Sequence, residues 1–381
     1  MRICNKKKYI VGLSGGPDSI YLLDNLIKKV NVNKIIACHV NYNFRKDSTT
    51  DMLICKKYCE KNKIKLLIKN INIDYDNLKK NFEAWAREER YDFFLDQLEK
   101  NNFDKILIAH NMNDDIETYL MQKQKKALSS YFGIKKETFY KDKKVMRPII
   151  DTKKSQILKY LKENNIDYAT DSTNCDIKYF RNSIRATLNE DDFIKLLEEK
   201  NLKNLELNKI NIEIKKILAG QLKQAHFNRD ESFNQRLLFS FLEQKGFGQI
   251  FYSRKKNTLK ETIKQIKSTK SFVRVKIENL LLIKDRQNIY CIDLFNYEVL
   301  DKQINDLTEK DLKNFEPSIN LKDFDGSLII TNDWQKHKLD LLYNNKKLSE
   351  FYKKNKTSYY KRYFQPIIYD KKNKIIKNIM N

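Results

Sequence analysis

The chain has 381 residues and carries 75 Lys and Arg against 50 Asp and Glu, a formal net charge of +25. Its 41% hydrophobic content excludes a wholly disordered chain, and no apolar run approaches the roughly 20 residues of a membrane-spanning helix. The excess of positive charge suits a polyanionic partner, because basic side chains release counterions when they neutralise phosphates; scarce Gly (8) and Pro (4) beside abundant Lys, Asn and Ile equally suit an AT-rich coding bias.

Met1 to Lys6 is basic but leads into no apolar segment or small-residue cleavage site, so no signal peptide is expected. Lys8 to Leu13 reads as a buried strand, and Ile20, Leu23, Ile27 and Val30 recur at helical spacing over Ser19 to Val30. A second strand follows at Lys34 to Val40, then a helix over Ser48 to Asn62 with Met52, Cys55 and Cys59 inward. Lys65 to Lys69 is the third predicted strand, Phe82 to Asn101 a long amphipathic helix, and Lys105 to Ala109 the fourth strand, with a helix from about Asn113. Such alternation predicts an α/β fold, a doubly wound parallel sheet with helices on both faces. Ligands of these sheets bind at the carboxyl ends of the strands.

Beyond about residue 200 the pattern changes. Asn201 to Gly220 and Asp230 to Lys245 predict helices, and Ser271 to Ile277, Leu280 to Ile283 and Ile289 to Ile292 predict strands. We therefore expect a catalytic domain at residues 1–200, a smaller helical or α+β domain at 201–300, and a small C-terminal domain at 301–381. Residues 301–340 carry 6 basic and 9 acidic side chains, whereas residues 341–381 carry 11 basic and 2 acidic. The basic charge is thus placed rather than spread. In the tail, Lys353, Lys354, Lys356, Lys361 and Arg362 alternate with Phe351, Tyr352, Tyr359, Tyr360, Tyr363 and Phe364. Those are ingredients of RNA binding, or else a small core with a solvated lysine face. The six cysteines form no CxxC pair, which suits reduced thiols in a cytoplasm and no structural metal.

Ser14-Gly15-Gly16-Pro17-Asp18-Ser19 falls at the first strand-to-helix junction. Two glycines bring backbone amides close to an anion, and the helix N-terminus adds N–H groups and a positive dipole end. The string is neither GxxxxGK[ST] nor GxGxxG, which disfavours a Walker-type NTPase and a dinucleotide dehydrogenase. It resembles the PP-loop, SGGxDS, of ATP pyrophosphatases, which cleave ATP between the α- and β-phosphates and adenylate their substrate.

Further segments are similar to those of one PP-loop family, the tRNA(Ile)-lysidine synthetases. His39-Val40-Asn41-Tyr42-Asn43-Phe44-Arg45 resembles HVNHGLR, with Tyr42 where that family usually has His. Glu83 to Tyr91 resembles E-x-x-A-R-x-x-R-Y through Arg87 and Arg90. His110 to Thr118 resembles H-x-x-D-D-Q-x-E-T, with one extra residue before the acidic pair Asp114 and Asp115 and with Glu117 following. Asp171 to Asn174 with Arg181-Asn182-Ser183-Ile184-Arg185 resembles D-x-x-N…R-N-x-I-R, and Lys347 to Ile368 the small C-terminal domain. Where that family carries an Arg-Gly-Thr-Gly-like loop, this chain has Gln122 to Ser130. Each segment has a plainer reading: Asp114 and Glu117 are spaced like a helix cap and its box partner, and the arginines could pair with nearby carboxylates.

The resemblance implies ATP as substrate, Mg2+, free lysine, and tRNA(Ile) with a CAU anticodon in a cytoplasmic, non-membrane enzyme. It implies that Ser14 to Ser19 hold the ATP phosphates and that Asp18, Asp114, Asp115 and Glu117 are the catalytic or metal candidates, with Asp115 favoured for metal and Glu117 for the lysine ammonium. Arg45, Arg87, Arg90, His110, Arg181 and Arg185 are the candidate phosphate or tRNA contacts. A tRNA-thiolating PP-loop enzyme and a non-catalytic RNA-binding protein are the alternatives. The absence of CxxC argues against the first and the intact loop against the second.

Overall fold

Tyr9–Gly12 (β1) is apolar throughout and buried on both faces, the signature of a central strand in a parallel sheet. The computed structural model describes residues 3–43, 48–72, 82–126, 128–169, 180–248, 250, 257–308, 311 and 321–379. Within residues 1–208, one of two compact units, the other strands are β2 (Ile35–Asn41), β3 (Lys65–Asn70), β4 (Lys105–Leu107), β5 (Glu137–Tyr140) and β6 (Lys143–Met146). They form one sheet in the order β3-β2-β1-β4-β6-β5. Every pair is parallel except β5 with β6. The helices are α1 (Pro17–Ile27), α2 (Ser48–Lys61), α3 (Phe82–Lys100), α4 (Met112–Gln124), α5 (Lys154–Glu163), α6 (Phe180–Thr187) and α7 (Phe193–Leu218), the last crossing the boundary between the units.

Side-chain alternation along the strands builds a core on each face. Tyr9 and Val11 pack with Leu23 and Leu26 of α1, Cys55 and Cys59 of α2, and Ile157 and Leu161 of α5. Ile10, Ile36, Cys38 and Val40 pack with Tyr91, Phe94 and Leu98 of α3. The four expected strands and their helices are present, and the parallel, doubly covered sheet is the expected one. The reversal of strand order lies between β1 and β4, where such sheets open a crevice for ligands.

The hairpin β5–β6 and the helices α5 and α6 were not anticipated. The hairpin turns at Lys141 and Asp142, both at positive φ. That mirror-image turn matches the strand twist but normally advertises itself with Asn or Gly.

Residues 209–381 form the second unit. Glu231–Gln244 and Asn257–Lys267 are helical. A three-stranded antiparallel meander follows: β7 (Phe272–Ile277), β8 (Leu280–Asp285) and β9 (Asn288–Asp293). The second sheet of this unit holds β10 (Asp301–Gln303), β11 (Ile329–Thr331), β12 (Leu342–Tyr343), β13 (Lys346–Lys347), β14 (Ile367–Asp370) and β15 (Ile375–Ile379) in the order β10-β11-β14-β15-β12-β13. Near residue 300, where the sequence suggested a domain boundary, there is instead a shared core: Leu281, Ile283 and Ile292 pack with Trp334, Leu348, Tyr352 and Ile367. Among the described residues no helix is long and apolar enough to cross a membrane.

The aromatic tail is built inward. Tyr352 and Tyr363 are buried, Tyr359 stacks on Phe272 at 4.6 Å and Tyr360 on Tyr290 at 4.2 Å. Arg362, read above among the cations of an RNA surface, is only 6% exposed. Its guanidinium lies 4.1 to 4.9 Å from the ring centres of Tyr359, Tyr352 and Trp334. Lys353, Lys354, Lys356 and Lys361 are exposed. For these aromatics and for Arg362, the core reading is the one the structure supports.

Candidate active site

The phosphate loop is tied together by its own serines. Gly16 caps α1 and Pro17 begins it, a position where the missing proline N–H costs the helix nothing. The Ser19 hydroxyl donates to Gly16 O at 2.9 Å and accepts from the Ser14 amide at 3.2 Å and the Ser14 hydroxyl at 3.1 Å. Gly15 has φ +88, and a Cβ there would stand 2.9 Å from Asp51 O. A side chain at Gly15 would therefore meet both backbone strain and a backbone atom of α2. Its carbonyl accepts from Ala169 N at 2.9 Å. Asp18 at the loop's edge accepts from Asn111 Nδ2 at 2.9 Å and pairs with Lys154 Nζ at 2.7 Å.

Beside the loop lies a cavity of about 590 Å³ within the first unit. Gly12, Ser14, Asp18 and Ser19 line it from the first strand and loop, and Cys38 to Tyr42 from the end of β2. Glu83, Arg87, Arg90 and Tyr91 contribute from α3, and Ile108 to His110 from the end of β4. Segments about a hundred residues apart thus converge where the sheet topology places a ligand crevice. Asp51 also lines it and was not foreseen from the sequence.

Each motif side chain has a definable setting. Tyr42 donates its hydroxyl to Ala86 O at 2.6 Å, locking the end of β2 to α3. Arg87 donates to the Tyr91 hydroxyl at 3.2 Å and lies 4.8 Å from its ring centre. Arg147, absent from the sequence reading, is buried and donates Nε to His110 Nδ1 at 3.0 Å, which leaves that nitrogen unprotonated. Burial lowers the Arg147 pKa. His39 is buried, with Nδ1 2.9 Å from Leu13 O, so Nδ1 carries the proton and Nε2 is an acceptor with no partner among the described residues. Burial lowers its pKa, so the ring is neutral.

The acidic helix departs from expectation in its details. Its N-cap is Asn111, and the box partner is Asp114, not Glu117: Asp114 N–H donates to Asn111 Oδ1 and Asn111 N–H to Asp114 Oδ2, both at 3.0 Å. Asp115 is buried, ion-paired with Lys200 of α7, and accepts the Ile134 amide at 2.6 Å. Glu117 is buried and accepts from Arg185 Nε at 2.8 Å and Nη2 at 3.1 Å. That carboxylate raises the Arg185 pKa. Asp115, Glu117 and Asp18 each have both carboxylate oxygens engaged by protein partners, but of the three it is Asp18 that lines the cavity.

The stretch standing in for the glycine-rich loop is anchored in the same way. Lys123 pairs with Glu199 at 2.7 Å, and Gln122 Oε1 accepts from Gly133 N at 2.7 Å. Gly133 has φ +79, and a Cβ there would come within 2.2 Å of Asp115 Oδ1. A glycine is therefore required eleven residues beyond Gln122. Arg45 and Asp171 to Asn174 lie outside the described residues, as does the side chain of Arg181.

Among the described residues no group of three or more His, Cys, Asp or Glu is placed to hold a metal ion. Cys38 lines the cavity, yet burial pushes its thiol up to about 12, and likewise that of Cys59. Neither is primed as a thiolate.

Residues 2–191 match the family model described as a PP-loop domain. Over 99% of this chain and 97% of its relative, the chain is 42% identical to a tRNA(Ile)-lysidine synthase from Mycoplasma mycoides subsp. mycoides SC. It is 38% identical to a tRNA(Ile)-lysidine synthase from Mesoplasma florum, covering 97% of this chain and 96% of that one. Among solved structures, the U34-tRNA thiolase NcsA from Methanococcus maripaludis with its [4Fe-4S] cluster is 18% identical. It covers 54% of this chain and 73% of its own, with a TM-score of 0.43.

Proposed function

The chain belongs to the tRNA(Ile)-lysidine synthase family of PP-loop enzymes, and we propose how its residues divide the work. The reaction joins the ε-amine of lysine to carbon 2 of the wobble cytidine in tRNA(Ile) bearing a CAU anticodon. In the first step the cytosine O2 attacks the α-phosphorus of ATP, and the breaking P–O bond leaves with pyrophosphate. In the second the lysine nitrogen attacks carbon 2, and that carbon's bond to oxygen breaks as AMP departs. The amine loses its protons to solvent or a nearby base.

The cavity supports this reading, because it gathers the phosphate loop, Tyr42, Arg87, Arg90 and His110 around one space. The loop from Ser14 to Ser19, with the N-terminus of α1, would hold the leaving phosphates, where negative charge builds. Arg87 and Arg90 supply positive charge from α3 for the α-phosphate or the RNA backbone. Arg185, held by Glu117 and close enough to Asp18 and Asp114 to feel their charge, keeps the acidic helix near neutrality. Mg2+ fits Asp18, a partly exposed carboxylate at the loop edge, since this ion takes one or two protein carboxylates and fills its remaining positions with phosphates and water. Bound there it would spread the charge of the transferring phosphate. Asp115 does not fit, because it is buried against Lys200 and is not among the residues that line the cavity. The lysine ammonium has Asp51, Glu83 and Asp18 as carboxylate candidates on the cavity wall.

Incubation of the chain with labelled lysine, ATP and total tRNA, followed by nucleoside analysis, tests the reading. Lysidine in the digest, formed with stoichiometric AMP and pyrophosphate, is the expected outcome. No lysidine, but sulfur entering the tRNA when a sulfide donor is added to the same mixture, would transfer the chain to the thiolating enzymes.

A further inference from the structure

Lys154 opens α5 and belongs to none of the motifs above. Its Nζ lies 2.7 Å from Asp18 Oδ2 across 136 residues of chain. Its backbone N–H donates to Asn113 Oδ1 at 2.9 Å, and Asn113 Nδ2 donates to Glu190 Oε1 at 3.0 Å. Glu190 also accepts the Ser155 amide at 3.2 Å and the Ser155 hydroxyl. The first turns of α4 and α5 are thus clasped by polar bonds. The base of the Lys154 side chain is fixed while its ammonium keeps four carbons of reach.

The pair it makes is not a stability device. Lys154 is 32% exposed and Asp18 27%, and ion pairs with that much solvent contribute little to folding. What the pair does is hold a cation against the phosphate loop. A triphosphate arriving at Ser14 to Ser19 would bring several negative charges beside a carboxylate, and an ammonium stationed there offsets them.

We propose that Lys154 is a phosphate-binding catalytic residue of the adenylation site, paired with Asp18 and passed to the departing pyrophosphate when ATP binds. The electron pair of the breaking α–β P–O bond goes to the pyrophosphate oxygen. The ammonium stabilises that charge and donates hydrogen bonds without giving up its proton. This assignment rests on the adenylation reading of the cavity.

Calorimetric titration of ATP into the full-length chain, paired with pyrophosphate release in the presence of tRNA, tests it. Lys154→Met should weaken ATP binding about tenfold, the effect of one charge-assisted hydrogen bond, and slow pyrophosphate release about a hundredfold. Lys154→Arg should recover most of both, and the unfolding temperature should not move in either variant. In an Asp18→Asn background, Lys154→Met should still weaken ATP binding by a similar factor. ATP binding by Lys154→Met at the wild-type level overturns the proposal. So does disappearance of the effect in the Asp18→Asn background, which would reduce Lys154 to a counter-charge for Asp18. A wild-type chain that makes no lysidine, with ATP affinity still falling in Lys154→Met, refutes the adenylation reading and leaves Lys154 assigned to phosphate.

Discussion

Lys154 and Arg362 carry the same charge and live in opposite settings. Lys154, in the first unit, is a third exposed beside a carboxylate at the edge of the cavity. Arg362, in the second, is 6% exposed among three aromatic rings, and its Nη2 donates to Thr357 O at 2.9 Å. Burial lowers its pKa. Along the sequence their surroundings suggest the reverse, since Arg362 stands in a cation-and-aromatic run and Lys154 in an unremarked Lys-Lys-Ser. Aromatic neighbours in sequence can close over a cation as readily as they can offer faces to a base. Position on the carboxyl edge of a parallel sheet is the better guide, because the fold leaves groups there uncovered.

Substitutions can break this contrast, beginning with the largest effect. Asp18→Ala should reduce AMP formation by at least about a hundredfold while thermal unfolding stays unchanged, and undiminished turnover would remove Asp18 from the site. Lys200→Met leaves Asp115 buried without its cation and should cost about 3–5 kcal/mol in denaturant unfolding. A cost near zero would show the pair to be solvated. Arg362→Met should cost about 1–3 kcal/mol and leave tRNA affinity alone. If affinity falls with stability intact, Arg362 is an RNA contact after all.

Smaller effects sharpen the same line. Replacing Lys353, Lys354, Lys356 and Lys361 with Gln should flatten the salt dependence of tRNA binding, by up to about 3 in the log–log slope if all four meet phosphates. Stability should stay within about 0.5 kcal/mol. An unchanged slope places the RNA surface elsewhere. Each unit also buries a histidine with a pKa lowered by burial, His39 and His337. A base whose folded pKa is depressed binds more protons when unfolded, so its contribution is complete above about pH 6.5 and is lost as pH falls below that value. Wild type should therefore lose more stability between pH 7.5 and 5 than either His39→Asn or His337→Asn, by at most about 1.4 kcal/mol per pH unit. Parallel pH curves for wild type and variant would deny the histidine that role.

Much of the first unit was legible because its signals are local. An apolar run, a glycine turn and a helical repeat locate β1, the phosphate loop and α1 without reference to anything distant. The β5–β6 hairpin escaped because its turn residues, Lys141 and Asp142, take positive φ without the glycine that announces it. The acidic helix was found, but its roles were not, since Asn111 rather than an acidic residue caps it. The partners that decide Asp18 and Asp115 lie 136 and 85 residues away. No spacing rule reaches that far. The inward turn of the tail depends likewise on Phe272, Tyr290 and Trp334, which precede it in other strands and turns.

The parallel pairing of β1 also sets a timetable. Its neighbours β2 and β4 begin at Ile35 and Lys105, and each pairing must close the intervening chain first. Such long loops make parallel sheets slow to form, whereas the β7–β9 meander joins neighbours through short turns. During synthesis the phosphate loop is made before the rest of the site, yet its carboxylate waits 136 residues for Lys154. At about 5–20 residues per second that wait lasts roughly 7 to 27 seconds. The earliest-made part of the active site is therefore among the last to be completed, and a chain truncated before α5 carries the loop without the cation that attends it.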